Sequence, residues 1–83
     1  MRYTVVWLNS AQNHLAAIWT DASDKAEVAA ASNAIDRSLA VDPYRDSESR
    51  SGNDRVMFVR PLAVRYTVSA ADRMVTVHAV WRI

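Results

Sequence analysis

Eighty-three residues with no cysteine and only two histidines exclude a disulfide scaffold and a structural zinc site, so a single domain over 1–83 held by packing is expected. The chain is 51% hydrophobic, carries one glycine and has a formal net charge of +1. That balance excludes a disordered polymer, a glycine-rich phosphate loop and a binder driven by bulk charge.

In chain order, Arg2–Leu8 is β-branched and aromatic, with Tyr3, Val5 and Trp7 in phase, which predicts a strand. Ser10 stands where a helix N-cap belongs. Ala11, Leu15, Ile18 and Trp19 follow at helical spacing, predicting a helix near Ser10–Trp19. Asp24 and Glu27 have the spacing of a capping box, and a second helix runs from there to Ala40. Val28, Ala31, Ile35 and Leu39 form its apolar stripe. The short connector makes the two an antiparallel hairpin, and Asp42–Pro43 stops the second helix. Asp42–Asp54 (DPYRDSESRSGND) has no periodicity and holds the glycine, so it reads as an exposed loop turning at Gly52–Asn53.

Three strands close the chain, at about Arg55–Arg60, Leu62–Val68 and Met74–Trp81, with Pro61 parting the first two and Ser69–Asp72 joining the last two. The order β-α-α-β-β-β gives the α+β class, a helix hairpin packed on one face of a four-stranded, mainly antiparallel sheet. Strand alternation turns Val64, Tyr66, Val68, Val75, Val77, Ala79 and Trp81 toward the helices. It leaves Arg65, Thr67, Thr76, His78 and Arg82 on the open face. Val56–Val59 is apolar throughout, so that strand has no readable phase.

Nine of the ten basic residues are arginine, whose planar fork suits phosphate; a high-GC coding bias produces the same excess. The predicted open face has Arg65 and Arg82 to hold a phosphodiester and His78 to move a proton near neutral pH. Together these suffice for metal-independent cleavage of RNA by its own 2′-hydroxyl, although the same row also fits an ordinary solvated strand face. Arg50, Arg55 and Arg60 are assigned phosphate contacts around it. His14 and His78 lack metal-ligand spacing, and Asp46 and Glu48 fall in the loop without a catalytic partner, so neither metal nor cofactor is expected. No apolar segment approaches the roughly 20 residues of a membrane span. Together with the lack of a leader-like N-terminus and of cysteine, this predicts a cytoplasmic protein without a membrane partner.

The residues also resemble a family. The opening YTVVWLNSAQNHLAAIW, the helix AIDRSLAVDP and the strand pair RPLAVRYTVSAADRMVTVHAVWR are similar, in that order, to the RelE/ParE toxins of bacterial type II toxin–antitoxin systems. The resemblance spans nearly the whole chain. It implies one of two activities: ribosome-dependent cleavage of mRNA in the A site, or inhibition of DNA gyrase. It also implies a cognate antitoxin that covers the basic surface, in a hetero-oligomer or beside a toxin homodimer. Members that cleave mRNA commonly place an arginine three residues before the aromatic that matches Tyr66. Ala63 stands there, with Arg65 two residues on along the same face. Arg65, His78 and Arg82, read from the open strand face, are the candidate catalytic set. A non-enzymatic relative, inhibiting gyrase or only binding its antitoxin, is the second reading, favoured by Ala63 and by a short C-terminus with only Arg82 at that end.

Overall fold

The computed structural model describes residues 2–45, 47–50 and 52–83, so Asp46 lies outside the described residues. The elements are β1 (Thr4–Trp7), α1 (Asn9–Asp21), α2 (Lys25–Val41), β2 (Ser47–Ser49), β3 (Asp54–Val59), β4 (Leu62–Ser69) and β5 (Met74–Arg82). The strands form one sheet in the order β1-β5-β4-β3-β2. β1 runs parallel to β5, a pairing that needs a long connection, here both helices and the three strands that follow them. The remaining pairs are antiparallel. The α+β class and mainly antiparallel sheet agree with the sequence reading, but there are five strands rather than four. The extra one, Ser47–Ser49, lies inside the segment read as loop and pairs with Arg55–Met57. Three polar residues give no alternation to detect.

α2 presents Val28, Ala31, Ile35 and Leu39 as one buried stripe, the spacing an amphipathic helix requires. They meet Met57, Leu62, Val64, Tyr66, Val75, Val77 and Val80 from the sheet. Tyr3, Val5 and Trp7 pack at the margin of this core. Trp7 Nε1 donates to Asp36 Oδ1 at 2.7 Å, tying β1 to α2.

α1 begins just before the predicted cap: Leu8 is its N-cap, and no side chain caps it. Of its apolar spacing, Ala11 is buried and Leu15 and Ile18 pack against the core, but Trp19 is 45% exposed. Lys25 explains the tryptophan's position. Its Nζ sits 5.3 Å from the Trp19 ring centroid and donates to the Thr20 and Ala22 carbonyls, satisfying the end of α1.

β5 departs from strict alternation. Arg65 faces Ala79 and Tyr66 faces Val77, so His78 is an extra residue, a bulge. The strand changes phase there. Val75, Val77 and Val80 face the helices. Ala79 and Trp81, expected in the core, join the open face opposite Arg65 and Ala63. The unphased β3 resolves as well: Met57 and Val59 point inward, Val56 and Phe58 outward.

Gly52 has φ +59° and open space around its missing Cβ. Gly52→Ala therefore meets no clash and must only hold the left-handed conformation. The expected loss is about 1–2 kcal/mol, read as a lower urea midpoint.

Candidate functional site

The open sheet face follows from the register. Four cross-strand rows cover it: Phe58–Ala63–Trp81, then Glu48–Val56–Arg65–Ala79, then Asp54–Thr67–Thr76–Val6, then Ser69–Met74–Thr4. His78 bulges between the second and third rows on β5. Its Nε2 lies 3.0 Å from Thr67 Oγ1, which puts the imidazole on the open face. Thr67 stands two residues from Arg65 on β4, so arginine, threonine and histidine form one group at the centre of the sheet. Each residue has a rigid strand beneath it, the kind of support that holds a site to geometry.

Arg65 is not a lone cation. Its Nη1 is 3.5 Å from Asp54 Oδ2, with both side chains partly exposed. An exposed pair of this kind contributes little to stability, about 0–1 kcal/mol. Arg50 likewise pairs with Glu48 at 3.1 Å.

The other arginines part company with this group. Arg82, expected beside Arg65, lies past the bulge in the opposite phase. Its Nη2 donates to Asp24 Oδ2 at 2.6 Å, at the start of α2. The Asp24 carboxylate therefore bonds arginine instead of capping its own helix. Arg55 faces the helix side opposite Tyr66. There its Nε donates to Ser47 Oγ at 2.9 Å, and its guanidinium stacks 5.2 Å from the Tyr44 centroid. That arrangement braces the loop rather than a sheet-face ligand. Arg60 is exposed in the β3–β4 turn, with no ion-pair partner among the described residues.

The hydrogen bond from Arg82 holds the Asp24 carboxyl below its ordinary value of 3.8, burial opposing it. A depressed carboxyl contributes stability above that value and loses it as pH falls through the folded value. The melting-temperature gap between the parent and Arg82→Gln should therefore narrow below about pH 4.

Sequence reasoning missed Phe58, Trp81 and Asp54 on this face. Val80 carried the usable signal: a β-branched residue in the polar phase of a strand marks a slip. Among the described residues no group of His, Asp and Glu is placed to hold a metal ion. No helix among them is long and apolar enough to cross a membrane.

No protein-family model matches the chain, and no curated protein matches it. Among solved structures, it is similar to a chain of the RelBE2 toxin–antitoxin complex from Mycobacterium tuberculosis. The TM-score is 0.81 at 16% identity, over 100% of both chains. The two share a fold from end to end.

Proposed function

We propose that this chain is the toxin of a type II toxin–antitoxin pair, acting in the cytoplasm and held silent by a cognate antitoxin protein. Its fold is shared with a chain of a toxin–antitoxin complex. The proposed action is cleavage of mRNA on the ribosome. The observation that carries this reading is the Arg65–Thr67–His78 group on a rigid open sheet face. In the reaction the 2′-oxygen bonds to phosphorus and the bond to the 5′-oxygen breaks. Arg65, released from Asp54, balances charge on the phosphoryl oxygens. His78 either takes the 2′ proton or supplies the one the 5′-oxygen needs, and solvent serves the other transfer.

A second reading, a non-enzymatic toxin that inhibits DNA gyrase or a chain that only binds its antitoxin, has its own support. Arg82 is bound to Asp24 away from the face, Arg55 braces a loop, and Ala63 offers no charge. Expression of the chain with and without the product of an adjoining small gene, with RNA ends mapped in arrested cells, decides between them. Codon-positioned cuts that disappear in Arg65→Ala support cleavage. DNA damage with intact message supports gyrase inhibition. Normal growth overturns both toxin readings.

A further inference from the structure

We infer that Phe58 and Trp81 form an aromatic platform on the open sheet face that stacks unpaired bases of single-stranded RNA. The inference rests on the RNA-binding part of the function proposed above and names residues outside the Arg65–His78 group.

The argument starts from Ala63. It sits on the outward side of β4, between Phe58 on β3 and Trp81 on β5, and it is not part of the helix-side core. An outward alanine is ordinarily open to water, yet Ala63 is fully buried. Its two row neighbours are the large side chains available to cover it. Strands are about 4.8 Å apart, so the two rings are rooted about 10 Å from each other. A methyl group between them is the small floor over which both can lie down. Phe58 remains 47% exposed, so its ring offers surface to solvent while shielding the alanine. The small side chain of Ala63 therefore leaves room for a flat aromatic surface.

Charge selects the occupant. Among the described residues the open-face carboxylates are already engaged: Asp54, at the start of β3, pairs with Arg65, and Glu48, in the row next to the platform beside Val56, bridges Arg50. Asp72 is in the β4–β5 hairpin at the far end of the sheet. At the platform's end stands Arg60, exposed in the turn just after Phe58–Val59, and Arg65 follows Ala63 by two residues on the same face. Aromatic faces with arginines beside them match a chain of bases on a phosphate backbone. Such platforms hold single strands with little sequence preference. A wholly apolar partner would leave Arg60 facing no charge.

The test uses the purified full chain and a labelled, unstructured oligoribonucleotide at fixed salt, with thermal melts to establish that each variant folds. Phe58→Leu and Trp81→Leu keep apolar cover over Ala63 and remove a π-face. Each is expected to weaken binding about tenfold, while Trp81→Phe keeps most of the affinity. RNA should quench tryptophan emission in the parent and much less in Trp81→Leu. Arg60→Gln should lower the salt dependence by about 0.7 in log–log slope, which the two leucine variants leave alone. Unchanged affinity in both folded leucine variants overturns the platform, as does a parent that does not bind the oligoribonucleotide. Intact RNA affinity with lost antitoxin binding also overturns it and marks the face as a protein-docking surface. Mapped RNA ends judge cleavage separately: weakened binding in the leucine variants without cuts in cells keeps the platform and discards the nuclease.

Discussion

Tyr66→Ala is expected to lose about 3–5 kcal/mol and to leave a large fraction of the chain unfolded. A protein of this length has roughly 4–12 kcal/mol in total, so one such loss removes a large share. Tyr66 is fully buried at the centre of the sheet, and its hydroxyl donates to the Pro43 carbonyl, itself buried where the chain leaves α2. The residue thus joins β4, α2 and the loop in one contact. Tyr66→Phe isolates the hydrogen bond. It keeps the ring and strands the carbonyl, so about 1–2 kcal/mol should go. Burial pushes the Tyr66 phenol above its ordinary value of 10.0, with Ser47 and Arg55 pulling the other way. A raised folded value means full stability below about pH 10 and progressive loss above it as the unfolded phenol ionises first. Urea midpoints across that range should fall in the parent and less so in Tyr66→Phe. Equal midpoints for the parent and Tyr66→Ala at neutral pH would refute the structural role.

The same residue marks what was legible in the sequence. Alternation along Leu62–Val68 placed Tyr66 and Val64 inward and Arg65 outward, and the helical stripe from Val28 to Leu39 was read correctly. These segments are regular, and burial on one face enforces their period. The element order follows from the same runs, and the structure adds to it only the short strand Ser47–Ser49. The candidate site was less readable because it sits on an irregularity. One inserted residue at His78 reverses every side chain after it. It carries Arg82 to Asp24 and brings Trp81 out beside Ala63. Val80 breaks the alternation, but a single apolar residue out of phase resembles noise until a partner strand fixes the register. Partners such as Asp54 for Arg65 and Asp24 for Arg82 are matters of distance, and neither follows from local sequence.

His78→Ala is expected to slow mRNA cleavage by about a hundredfold to ten-thousandfold, the range for a positioned proton donor or acceptor. The bulge is what aims this side chain. It lifts His78 out of the ladder and seats Nε2 against Thr67 Oγ1 at 3.0 Å. Thr67→Val removes that contact and leaves the imidazole, so its loss should be smaller, and the two changes together should cost little more than His78→Ala alone. Residues acting through one group are not additive. Arg65→Ala should also lower the rate, through phosphate, and reduce the salt dependence of RNA binding by about 0.7 in slope. Asp54→Asn frees the same arginine and should act in the opposite direction on binding. Cleavage rates on programmed ribosomes, with each variant's fold checked by its melt, give the ordering. An imidazole that moves a proton requires His78→Ala to be more damaging than Thr67→Val. If His78→Ala and Thr67→Val leave growth arrest untouched, the imidazole is a strand-bulge residue fixed by a threonine, and the chain belongs to the non-enzymatic reading. The weak pairing of Arg65 with Asp54 then gains a simple explanation, since a face that only docks a partner has no need of an arginine kept free for phosphate.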